Sequence, residues 1–151
     1  MSWTMWHVSG YGFDVSGVTA DKLAAFCKKH KRALKTYKNV SLIMDTLKEH
    51  KVEPKSDAEF YDEFLEMTEI GAVGDVIAHI IRKETKLDFF SPGLTDDSED
   101  CVLFSTAYPW QFNAKERRLK STEDILKRAK PYAQELGVEP SLGEFDLVYS
   151  G

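Results

Sequence analysis

Between Ala20 and Lys86 the chain carries four successive stretches whose apolar residues recur at helical spacing, with strand-like segments before and after them. This block constrains the fold more than any other feature. Strands on either side must pair across the whole helical insertion, which excludes a simple meander of hairpins. In Ala20–Tyr37 the periodic positions are Leu23, Phe26, Cys27, Leu34 and Tyr37, and Thr19 is placed to cap. Val40, Ile43, Met44 and Leu47 follow the i, i+3, i+4, i+7 pattern in Val40–His50, and Pro54 ends that stretch. Ser56-Asp57-Ala58-Glu59 is a capping box, in which serine serves a free helix amide and glutamate reaches back. It opens a helix expected to bury Phe60, Phe64 and Leu65 and to expose Asp57, Asp62, Glu63 and Glu66. Ala72–Lys86 has the widest apolar stripe, Val73, Val76, Ile77, Ile80 and Ile81, and is expected to be the central core helix.

The flanking segments change period. Trp3–Val15 is rich in aromatic and β-branched residues and reads as a strand, with Gly10 and Gly12 marking a bulge or a close backbone approach. Leu87–Ser91 predicts a short strand before the Ser91-Pro92-Gly93 turn. Cys101–Phe104 is continuously apolar, as in a strand covered on both faces, and Tyr108-Pro109-Trp110 closes it. A last helix, Thr122–Leu136, is capped by Ser121 and ended by Gly137, and Pro131 is expected to kink or split it. Glu144–Tyr149 alternates as a half-buried strand. The order β-α-α-α-α-β-β-α-β predicts one globular α+β domain over residues 1–151. It should have a small, mostly antiparallel four-stranded sheet and about five helices packed mainly on one face. Val76, Ile77, Ile80 and Phe104 should meet in its core.

Several classes are excluded or set aside by composition. With 42% hydrophobic residues the chain can build a core without disulfides or metal. Cys27 and Cys101 stand far apart, outside any C-x-x-C pattern and within apolar runs, so buried free thiols are expected rather than a bridge. No apolar stretch approaches the ~20 residues that span a bilayer. Met1-Ser2-Trp3-Thr4 lacks the basic start of a signal peptide, so a cytoplasmic location without membrane contact is expected. The net charge of −5 conceals a polarity along the chain. Residues 1–55 hold ten Lys/Arg against five Asp/Glu, residues 56–101 three against thirteen, and the remainder seven of each. Such asymmetry bears on partners and association rates rather than on fold.

No catalytic constellation assembles from the spacing. Cys27 and His30, at i and i+3, suit shared metal ligation, but zinc needs two further ligands and none has the right spacing. Neither cysteine has a local signature for nucleophilic catalysis with His7 or His79 as base. Asp96, Asp97, Glu99 and Asp100 lack the glycine and terminal glutamate of a calcium loop and read as a solvated loop. Ser9-Gly10-Tyr11-Gly12 and Gly71-Ala72-Val73-Gly74 lack the full dinucleotide fingerprint. No catalytic residue, metal or cofactor is therefore assigned. Lys28, Lys29, Lys31, Arg32 and Lys35 form a positive helix stripe, read either as a phosphate or acidic-surface contact or as an ordinary solvated face. Trp3, Trp6, Tyr108 and Trp110 suit an interface or one end of a core equally.

Trp6-His7-Val8-Ser9-Gly10-Tyr11-Gly12-Phe13, Ala107-Tyr108-Pro109-Trp110 and the closing Val148-Tyr149-Ser150-Gly151 resemble a loose group of small uncharacterised proteins of Gram-positive gut bacteria and their phages and mobile elements. The resemblance implies a genomic setting in which small acidic proteins act as binders, including inhibitors of host or defence nucleases. Together these readings predict a non-enzymatic interaction protein that docks on a protein partner with a basic surface. The expected contacts are Asp62, Glu63, Glu66, Glu69, Asp96, Asp97, Glu99, Asp100 and Trp110. The alternatives are a nucleic-acid-binding module using the basic helix 20–37 and a small enzyme with scattered catalytic residues.

Overall fold

In the computed structural model, which describes residues 5–38, 40–67, 73–91, 101–105, 122–139 and 142–150, the segments flanking the helical block pair across it. Strand β1 (Met5–Asp14) lies between β3 (Cys101–Ser105) and β4 (Gly143–Ser150) and is antiparallel to both. A two-residue β2 (Phe89–Phe90) edges β3, also antiparallel, giving the order β2-β3-β1-β4. The fold is α+β. Three strands carry the sheet, and β2 is shorter than the predicted Leu87–Ser91.

Gly12 explains one of the two glycines in β1. It stands opposite Leu103 on one side and Gly143 on the other. A Cβ at this position would lie 1.8 Å from the Val102 carbonyl oxygen, so only glycine lets the backbones approach this closely.

Among the described residues six helices accompany the sheet, where five are expected. They are α1 (Ala20–Lys29), α2 (Lys31–Leu34), α3 (Val40–Val52), α4 (Asp57–Met67), α5 (Val73–Thr85) and α6 (Thr122–Leu136). The extra helix arises because the expected Ala20–Tyr37 helix breaks at His30, whose backbone leaves helical geometry at φ −101°, ψ 29°. Thr36 and Tyr37 then close by shorter-range backbone bonds to Ala33 and Leu34. The predicted caps at Thr19 and at the Ser56–Glu59 box form, while Ser121 lies outside the described residues. The Lys22 amide donates to Thr19 Oγ1 at 3.3 Å, the Glu59 amide to Ser56 Oγ at 3.3 Å, and the Ser56 amide to Glu59 Oε2 at 3.1 Å. Asp57, in the first turn of α4, also reaches across to α1 and accepts from the Ala20 amide at 2.8 Å, capping that helix.

Pro131 does not split α6, which runs unbroken from Thr122 to Leu136. Proline forfeits the bond to the carbonyl four residues back, but it is exposed, where water can satisfy that carbonyl. The opposite stripe, Ile125, Ala129, Ala133 and Leu136, is buried and holds the helix to the core. The α6 terminus is a Schellman motif: Gly137 adopts φ +70°, its amide donates to Gln134, and the Val138 amide donates to Ala133.

Val76, Ile77 and Ile80 are fully buried and share one cluster with Phe104 of β3, as the apolar stripe predicts. Phe104 meets Phe89 edge-on with centroids 5.3 Å apart. Val102 and Phe104 join the helical core, while the alternate residues Cys101 and Leu103 are buried outside that cluster, so β3 is covered on both faces. Each large aliphatic side chain so buried contributes about 1.5–3 kcal/mol.

Candidate docking surface

The packing of α2 against α5 has three polar rungs. His30 Nδ1 lies 2.7 Å from Glu84 Oε2, Thr36 Oγ1 lies 2.8 Å from His79 Nε2, and Tyr37 Oη donates to Asp75 Oδ2 at 2.6 Å. Residue numbers rise along α2 and its turn while they fall along α5, so the two segments run antiparallel. The first rung extends to α6. His30 Nε2 is 2.6 Å from Glu135 Oε2, Lys29 pairs with the other oxygen of Glu135, and Tyr132 Oη donates to Glu84 Oε1 at 2.9 Å. Phe26 and Tyr132 pack on the His30 ring at 4.5 and 5.5 Å.

This network settles what His30 does. With both ring nitrogens facing carboxylate oxygens, neither is left to act as a general base or metal ligand. Cys27 does not share its environment. Its thiol is fully buried in the core, and desolvation pushes its pKa up to about 12. The i, i+3 spacing therefore brings no joint site. Among the described residues, no three His, Cys, Asp or Glu side chains are arranged to hold a metal ion. Partial burial alone would raise the Glu135 carboxyl, but hydrogen bonds from His30 and Lys29 outweigh it and hold the carboxyl below the usual range. Burial and the bond to Glu84 raise the Tyr132 hydroxyl well above the usual phenol, and burial and Asp75 do the same to Tyr37.

His50 is occupied in the same way. Its Nδ1 accepts from the Lys55 amide at 3.1 Å and its Nε2 lies 2.8 Å from Asp21, fixing the proton on Nε2. His79 is different. It is half-buried, and burial first, then the positive charges of Arg82 and Lys83, lower its pKa, with Asp75 pulling weakly the other way. Of the two predicted base candidates, His79 has no carboxylate hydrogen bond, and the side chain of His7 lies outside the described ones.

The two predicted binding surfaces fare unequally. Lys28, Lys29, Lys31, Arg32 and Lys35 are all exposed, and only Lys29 is engaged, with Glu135. Lys28, Lys31, Arg32 and Lys35 have no ion pair or side-chain hydrogen bond among the described residues. Phe26 and Tyr37 are buried, so the surface carries no stacking platform from those rings. On the acidic helix α4, Glu63 is tied to Lys55, which also pairs with Glu49 at 3.1 Å, so Glu63 clamps the α3–α4 junction. Asp57 and Glu59 serve as caps, and Asp62 alone among the described α4 carboxylates is exposed without a local task. Glu69, Asp96, Asp97, Glu99, Asp100 and Trp110 lie outside the described residues, as does the side chain of Glu66.

Sequence reasoning did not find the rungs. Their partners stand 54, 43 and 38 residues apart, and no local pattern links them. No family model, no curated protein and no solved structure matches this chain. Among the described residues, no helix is long and apolar enough to cross a membrane.

Proposed function

We propose that this protein acts by docking on a macromolecular partner and carries out no chemistry of its own. The reading is supported by the commitments of its reactive groups. His30 and His50 have both nitrogens engaged, and the Cys27 thiol is buried and held protonated.

The observation that carries the choice of surface is the group of unpaired cations Lys28, Lys31, Arg32 and Lys35, set against carboxylates of α4 that already cap or clamp helices. Unpaired charges add little to stability and are free to meet a partner. The preferred reading is therefore a polyanionic partner held by the basic surface. The second reading, inhibition of a host or defence nuclease through an acidic surface, keeps the support of exposed Asp62 and of the acidic segment 56–101.

Retention on immobilised heparin compares them. Wild-type protein should be retained and released by salt, and K28E/K31E/R32E/K35E should flow through while D62K elutes no earlier than wild type. Wild-type protein that is not retained even at low salt would remove the basic surface and promote the acidic reading.

A further inference from the structure

The basic surface does not end with the helix that first suggested it. The Thr36–His79 bond sets the turn after α2 against α5. Lys83, one turn beyond His79 on α5, is exposed. Lys35 immediately precedes Thr36, and Arg32 and Lys31 lie one turn further back. Arg82 and Lys83 of α5 thus act on one half-buried imidazole, whose hydrogen-bond partner Thr36 directly follows Lys35 in the chain.

Hydrogen-bond accounting fixes the protons of that imidazole. The Thr36 hydroxyl has a single proton, which it donates to the Ala33 carbonyl at 2.8 Å. It must therefore accept from His79, so Nε2 carries the ring proton and Nδ1 is the nitrogen able to take up another. The groups facing the ring are Thr36, Tyr37 and the Ala33 carbonyl, which accepts from the ring, on the α2 side, and Asp75, Arg82 and Lys83 from its own helix. Of these, Asp75 is already bound by Tyr37, and Arg82 donates to the Phe89 carbonyl at 2.8 Å.

The described part of the surface near these cations has no exposed large apolar side chain. Among the described residues, the exposed large hydrophobic side chains are Leu42 and Val52, both on α3. Protein interfaces have an apolar centre, and membrane-surface helices an apolar face. Cations without either suit a partner recognised through its backbone charge alone, as nucleic-acid phosphates are.

Resting on the docking reading above, we infer that the docking surface spans α1, α2 and α5 through Lys28, Lys31, Arg32, Lys35 and Lys83, that its partner is the phosphate backbone of a nucleic-acid duplex, and that His79 is its proton-linked contact, with Nδ1 taking a proton from solvent as phosphate binds. Burial first, then repulsion from Arg82 and Lys83, disfavours the charged ring in the free protein, and a phosphate beside it offsets them. Binding and proton uptake then favour each other.

The test is fluorescence anisotropy of a short random-sequence DNA duplex with the whole chain, between about pH 7.5 and about pH 5.5, the range in which histidine titrates. Affinity should rise as pH falls, by no more than about tenfold per pH unit for one proton. H79Q should abolish this rise, and K83E should weaken binding at every pH. In the wild-type protein, which needs no substitution to fold, the His79 ring resonances should titrate at higher pH with duplex than without. Duplex binding with an unmoved His79 titration overturns the proton link. Absence of duplex binding, with heparin retention still lost in the lysine variant, overturns the duplex assignment but leaves the docking reading standing. Loss of both overturns the basic docking surface itself and promotes the acidic one.

Discussion

Cys27 shows how far burial alone decides a residue's chemistry. It lies one helical turn before His30, a spacing that invites a metal or a thiolate pair, yet its side chain is fully buried and its thiol pushed up to about 12. A nucleophilic thiol needs the opposite, a lowered pKa and access. Native protein should therefore show almost no labelling of Cys27 by a thiol reagent at neutral pH, with full labelling after denaturation. Fast native labelling, located at Cys27 by mass spectrometry, would reopen the enzymatic alternative. Gly12 is the complementary case. Glycine weakens a strand unless a neighbouring backbone needs the space of its missing side chain, so the close approach at Gly12 was legible. His30 was not legible. Its identity and spacing are visible, but the two carboxylates that claim its ring come from positions 54 and 105 residues away.

At the scale of elements, local rules succeeded where local energies decide. Thr19 and the Ser56–Glu59 box cap helices where the sequence places them, and the α5 stripe is the buried centre. They failed where distant packing overrides propensity. The expected Ala20–Tyr37 helix breaks at His30, and α6 runs unsplit through Pro131. The cost of the proline is tolerated because Ile125, Ala129, Ala133 and Leu136 anchor both halves of α6. Pro131→Ala restores a backbone donor on an exposed face, so it should stabilise the protein by about 1–3 kcal/mol in denaturant unfolding. A destabilised variant would show that the proline relieves a clash or sets a bend that the rest of the helix needs.

For the whole molecule, pH links the fold to its charges. The lowered pKa of His79 means that the unfolded chain takes up its proton first as pH falls through the ordinary value of 6.5. The lowered pKa of Glu135 acts likewise below its ordinary 4.5. In both cases the stabilisation is present at neutral pH and is lost on acidification, until each group is protonated in the folded state too. Thermal unfolding should therefore show a fall in Tm beginning below about pH 6.5, steepening below about pH 4.5. H79Q should remove the first part only. A Tm that is flat between neutral pH and about pH 5 would contradict the placement of His79.

Charge segregation was visible in the sequence, and with it the two candidate surfaces. Which carboxylates are spent on caps and clamps was not, because Asp57–Ala20 is a contact between helices far apart in the chain. That difference moved the weight from the acidic segment to the basic one. The most direct measurement of this claim is the salt dependence of duplex binding at fixed pH, compared between wild-type protein and K28E/K31E/R32E/K35E. Four or five phosphate contacts predict a slope of log K against log salt near −4, falling by about one for each cation removed, and binding lost when all four are reversed. Binding whose slope is the same in both proteins, or that weakens on reversal of Asp62 instead, would contradict the account.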